Sequence, residues 1–80
     1  MPRYYFDLRD GDDLAADEEG MVFATIDGAQ SEAAHSLADM ARDAVRRHRG
    51  GKSQFMAIEV RDDKGPVLEV RFAFEIDRHR

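Results

Sequence analysis

The chain has 80 residues, 42% of them hydrophobic and 36% charged, with a formal net charge of −5 and no cysteine. This is one domain, of a size at which a single core supplies only about 3 to 5 kcal/mol, so self-association is a natural source of further stability. The lack of cysteine excludes disulfides and thiolate zinc sites, the acidic balance argues against an indiscriminate nucleic-acid binder, and no apolar run reaches the roughly 18 to 20 residues that span a bilayer.

A first strand is expected from Arg3 to Arg9, with Tyr4, Phe6 and Leu8 on a buried face and Arg3, Tyr5, Asp7 and Arg9 on the other. It begins almost at the first residue and leaves no room for a signal segment, so the cytoplasm is the expected compartment. Asp10-Gly11 ends the run, and the acidic, small residues from Asp10 to Gly20 read as an exposed loop. Met21-Val22-Phe23-Ala24 then reads as a short second strand.

A helix follows, capped by Thr25 or Asp27; Gln30, three residues after Asp27, completes a capping-box pattern for the second choice. Ala29, Ala33, Leu37, Met40, Ala41 and Ala44 share one stripe, opposite Glu32, His35, Asp39, Arg42, Asp43 and Arg46. The alanines make the buried stripe thin and bring the backbone close to whatever it covers. Arg46, Arg47 and Arg49 meet the negative end of the helix dipole, and Gly50-Gly51 supplies a left-handed stop.

Two alternating strands follow, Phe55 to Arg61 with Met56, Ile58 and Val60 inward, and Val67 to Asp77 with Leu68, Val70, Phe72, Phe74 and Ile76 inward. Closing their hairpin at Asp62 and Pro66 leaves a three-residue loop with Gly65 at positive φ, and pairs Val60 with Leu68. The expected fold is α+β, in the order β-β-α-β-β, an antiparallel sheet with one amphipathic helix packed on one face. The other face carries Arg3, Tyr5, Asp7 and Arg9, then Phe55, Ala57, Glu59 and Arg61, then Glu69, Arg71, Ala73 and Glu75, a composition that suits solvent.

The opening MPRYYFDLRDG, the acidic Asp17-Glu18-Glu19-Gly20, the helix segment Ser31-Glu32-Ala33-Ala34 and the closing FMAIEVRDDKGPVLEVRFAFEI together resemble a family of small bacterial domains of unknown function. Members open with an MPRYFFD-like strand and close with a strand pair whose turn is similar to Asp-x-x-Gly-x-Pro, as at Asp62 to Pro66. The resemblance spans nearly the whole chain and implies the fold. It carries over no active site, cofactor or substrate.

Each chemical signal has a simpler alternative. The acidic loop fails as a calcium site, because an EF-hand begun at Asp10 meets Leu14, Ala15 and Met21 where an oxygen ligand, the turning glycine and the bidentate glutamate belong; Asp10 and Asp12 are expected to bond nearby backbone instead. His35, His48 and His79 are too scattered for a metal centre, so no metal, cofactor or small-molecule ligand is inferred. Pro2, if freed by loss of Met1, is a secondary amine of the kind small tautomerases use as general base, but those enzymes place a helix directly after the first strand. Arg42, Arg46, Arg47, Arg49 and Lys52 form a basic cluster capable of phosphate contacts, and with Tyr5 or Phe55 to stack a base they define a nucleic-acid alternative. The acids sharing the open face argue against it. The leading expectation is a non-enzymatic protein-interaction module, self-association included, working through an apolar spot of Tyr5, Phe55, Ala57 and Ala73 or through an unpaired strand edge.

Overall fold

The computed structural model describes residues 2–47, 53–77 and 79–80. Five strands and one helix run in the order β1 (Arg3–Asp10), β2 (Asp13–Ala15), β3 (Met21–Val22), α1 (Ile26–Arg47), β4 (Gln54–Asp62) and β5 (Gly65–Phe74). All strand pairs are antiparallel, in the order β2-β1-β4-β5, with β3 also on β1. The α+β architecture is therefore as the alternation implies, with one strand more than expected.

The extra strand is β2. The turn at Asp10-Gly11 does not release the chain into a loop but folds it back, with Gly11 at φ 61° and Asp10 opposite Asp13, Arg9 opposite Leu14 and Leu8 opposite Ala15. Three residues show no period of their own, which is why the segment reads as loop. The expected backbone bonds of Asp10 and Asp12 are not the ones that organise it; Asp10 Oδ1 accepts from Gln54 Nε2 at 3.1 Å instead. The strand after it is shorter than expected, Met21–Val22, because Phe23 leaves the ladder to sit between the rings of Tyr4 and Phe6, at 6.4 and 6.0 Å.

Helix α1 runs for 22 residues and buries Ala29, Ala33, Leu37, Ala41 and Ala44, with Met40 half-covered. Thr25 is the cap, its Oγ1 accepting from Gly28 N–H at 3.4 Å. Gly28 is needed as well, since a Cβ there would stand 3.0 Å from the Phe23 ring. The basic last turn, Arg46 and Arg47, complements the dipole, while His48, Arg49, Gly50, Gly51 and Lys52 lie outside the described residues.

The helix covers β4 and β5 alike and closes a core of Tyr4, Leu37, Met56, Ile58 and Val60, with Phe6, Leu8, Leu68, Val70 and Phe72 packed around it. Val60 pairs with Leu68 as expected. The hairpin beyond them is tighter than a three-residue loop. Asp62 pairs with Gly65 and Arg61 with Pro66, so only Asp63 and Lys64 form the turn, and a bulge at Val60/Arg61 absorbs the surplus residue of β5. Gly65 takes φ 125° and Asp62 Oδ1 accepts from Lys64 N–H at 2.8 Å. Strand β5 stops at Phe74, so Ile76 lies beyond the ladder and is 42% exposed.

Candidate interaction surfaces

The outer edge of β1 is crowded. Strands β2 and β3 both pair with it, and where they part the backbone would leave Phe6 N–H without an acceptor. Asp17 fills the gap. Its Oδ2 accepts from Phe6 N–H at 3.1 Å, and its Oδ1 accepts from Glu19 and Gly20 N–H at 3.0 and 3.2 Å. Burial alone would raise the Asp17 carboxyl, but the three backbone donors, with the nearby Arg61 charge, outweigh it and hold the group below the usual carboxylate range. Gly20 closes the loop at φ 71°, where a Cβ would stand 2.8 Å from the Tyr4 carbonyl oxygen. Of the seven acids in the first quarter of the chain, Asp17 is therefore the one that stands in for a backbone acceptor, a role composition does not reveal; the local signal is an aspartate three residues before a glycine.

The open face of the sheet is a lattice of charges. Asp7, Glu59 and Glu69 lie on one rung across β1, β4 and β5, an arrangement that repels. Each carboxylate leans to an arginine on a neighbouring rung: Asp7 to Arg61 Nε at 2.9 Å, Glu59 to Arg9 Nε at 2.8 Å, Glu69 to Arg71 Nε at 3.5 Å. Asp7 is buried, its Oδ1 also accepting from Asp17 N–H at 2.9 Å, while Arg61 Nη2 donates to the Asp17 carbonyl oxygen at 2.9 Å. The hydrogen bond to Asp7 raises the Arg61 pKa, and that to Glu59 raises the Arg9 pKa, so both cations stay charged at any ordinary pH. An open cleft of about 350 Å³ lies along this rung, between Asp7, Glu59, Arg61, Val67 and Glu69; Asp7 and Glu59 are closely paired, and Glu69 only at 3.5 Å.

Of the four residues of the expected apolar spot, Phe55, Ala57 and Ala73 lie side by side on β4 and β5, and Tyr5 stands apart from them. Tyr5 stands opposite Arg61, whose guanidinium carbon is 4.6 Å from the ring centroid, so the tyrosine is half-buried against its own sheet. Phe55 and Ala73 face each other across β4 and β5. Six positions of β4 separate Phe55 from Arg61, about 20 Å at strand rise. Ala57 has no exposed surface, because its methyl group sits on a central strand between Arg9 and Arg71, both far longer. What remains is Phe55, 40% exposed, beside Ala73.

A larger apolar surface lies on the helix side. Strand β5 is the last of the sheet, and among the described residues no strand pairs with its outer side. Next to it the thin alanine flank of α1 leaves a groove, lined by Ala34, Leu37, Ala38 and Ala41 from the helix and Val70 and Phe72 from β5, that continues to Val45. Val45 is 42% exposed. Of the basic cluster, Arg42 and Arg46 rim this groove; Arg42 is 3.5 Å from Asp39. Arg47 lies on another flank, near Asp10 and Gln54, and its Nε donates to the Asp43 carbonyl. The described arginines are thus divided between two flanks of the helix end.

Pro2 is exposed at the start of β1, its carbonyl accepting from Phe23 N–H at 3.2 Å, and β2 and β3 intervene before the helix. Among the described residues, no three of His, Asp and Glu converge to hold a metal ion, and no helix is long and apolar enough to cross a membrane. The model of a family described as a domain of unknown function, DUF6894, matches residues 3–73. No curated protein and no solved structure matches the chain.

Proposed function

The chain belongs to the DUF6894 family, and we propose that it acts as a non-enzymatic protein-interaction module of the cytoplasm whose working surface is the outer edge of β5 with the adjoining helix groove. The observation that supports this reading is the conjunction of the two features. From Leu68 to Ala73 strand β5 offers main-chain donors and acceptors along one line, and an apolar groove flanks the same line. Main-chain pairing supplies affinity in such a site, and the neighbouring groove supplies selectivity. Toward β1 and β4 the open face is less suited to the task, since Asp7 and Glu59 are each held by an arginine at 2.9 and 2.8 Å and Tyr5 is half-buried under Arg61.

The test is site-resolved photocross-linking of the chain in cells that make it, with the photoreactive side chain at Arg71 on β5 or, for comparison, at Leu14 on β2. Protein adducts are expected from position 71 and not from position 14. Absence of adducts from position 71 would contradict the reading.

A further inference from the structure

Resting on that reading, we infer that the partner of this edge is a second copy of the chain, docked β5 against β5 in antiparallel sense with Val70 on the two-fold axis. Strand β5 is self-complementary about that residue. Centring the pair on Val70 sets Val70 against itself and Leu68 against the partner's Phe72 on the helix side. On the open side it sets Glu69 against the partner's Arg71, twice by symmetry. Centring on Glu69 or on Arg71 would instead oppose two like charges across the axis. A shift by half a step would bring an open-face residue opposite a helix-face one, which the pleat forbids. Centring on Leu68 or Phe72 keeps apolar pairs on the helix side but sets Glu69 against Val67 or Arg71 against Ala73, so of the centres from Leu68 to Phe72 only Val70 also pairs glutamate with arginine.

The charges are available for this. Glu69 stands directly opposite Glu59 within its own sheet, and its contact with Arg71 is long, 3.5 Å, with the arginine side chain 68% exposed. A cation supplied from the far side would end the rung Asp7-Glu59-Glu69 and relieve its repulsion.

The helix side fits independently. Helix α1 packs on β4 and β5 to the same extent, and we take its axis to lie over the seam between them. A two-fold perpendicular to the sheet puts the second helix on the same face, two strand spacings away, or about 9.5 Å. Packed helices sit about 8–10 Å apart, closest where the facing side chains are small. The flank of α1 turned that way is Ala34, Ala38, Ala41 and Val45, spaced four, three and four residues apart, as a helix-helix seam requires. The same docking that extends the sheet therefore fills the groove and covers Val45.

Sedimentation velocity of the purified chain, with circular dichroism to establish that every variant is folded, tests this. The wild type is expected to be a dimer at tens of micromolar. Glu69→Arg and Arg71→Glu should each weaken the dimer about tenfold or more, since symmetry doubles each mismatch. The double variant Glu69→Arg/Arg71→Glu should restore wild-type association. A monomeric wild type, unaffected single variants or a double variant that fails to recover would each overturn the inference. If the wild type is monomeric while cross-links from position 71 join only other proteins, self-pairing falls and the interaction reading stands; if position 71 gives no adduct at all, both fall.

Discussion

The two edges of this sheet are built in opposite ways. The β1 edge is closed by two short strands, and at their junction by one carboxylate that takes the place of a backbone carbonyl for Phe6 N–H. The β5 edge runs from Leu68 to Ala73 with regular alternation, no charge pointing into its helix side, and a bulge and proline confined to the hairpin end. Proteins blunt exposed edges with short strands, bulges, prolines and covering loops. Here short strands and a bonded loop close the β1 side, while the bulge and proline of β5 sit only at its hairpin end and leave the stretch from Leu68 to Ala73 without such a device. The contrast teaches that the β5 edge is not open for want of means to close it.

Breaking the closed edge is the most direct way to sharpen this contrast. Gly20→Ala should cost the most, about 2–3 kcal/mol in urea denaturation, because the new Cβ meets the Tyr4 carbonyl at 2.8 Å and the residue is held at φ 71°. Asp17→Ala should cost about 1–2 kcal/mol, chiefly by leaving Phe6 N–H without its acceptor, and should speed hydrogen exchange at the Phe6 amide while the β4 amides stay protected.

The same carboxylate gives a pH signature. Its folded pKa is lowered, so its contribution to stability is complete above the unfolded value of about 3.9 and is lost as pH falls through the folded value. Asp17→Asn should therefore flatten the acid side of the stability profile and leave the neutral side parallel to wild type; an unchanged acid limb would show that the carboxylate is not held as described. The smallest effect is expected from Tyr5→Leu, which removes the ring beneath Arg61 but touches neither edge. It should lower stability less than Gly20→Ala and leave the sedimentation coefficient of the assembled species unchanged.

The parts of the fold visible in the sequence are those set by period and local turn chemistry. Alternation along Phe55 to Arg61 and Val67 to Asp77 identified the last strand pair, though β5 ends at Phe74. Closing the turn at Asp62 and Pro66 paired Val60 with Leu68, a pairing that holds only because a bulge offsets the tighter turn, and the alanine stripe of the helix identified its buried side. What escaped depends on partners distant in the chain. Asp17 is one acid among seven until Phe6 and Asp7 lie beside it, and β2 has too few residues to show alternation. Tyr5 does face outward, as parity requires, yet whether it is bare depends on the register that brings Arg61 across from it. Ala57 illustrates the same limit, since its burial comes from the size of its neighbours Arg9 and Arg71. The self-complementarity of Leu68 to Phe72 was present in the sequence throughout, but it has meaning only once β5 is known to be the last strand of the sheet.

A two-fold axis through Val70 places the two copies of this residue about 4.5 to 5.5 Å apart at Cα, within disulfide range, and the chain contains no other thiol. Under mild oxidation Val70→Cys is predicted to convert to a covalent dimer whose digest contains the homotypic peptide, while Phe55→Cys, exposed on the opposite face, stays monomeric. If Val70→Cys forms no more covalent dimer than Phe55→Cys at concentrations where the wild type self-associates, β5 is not the interface.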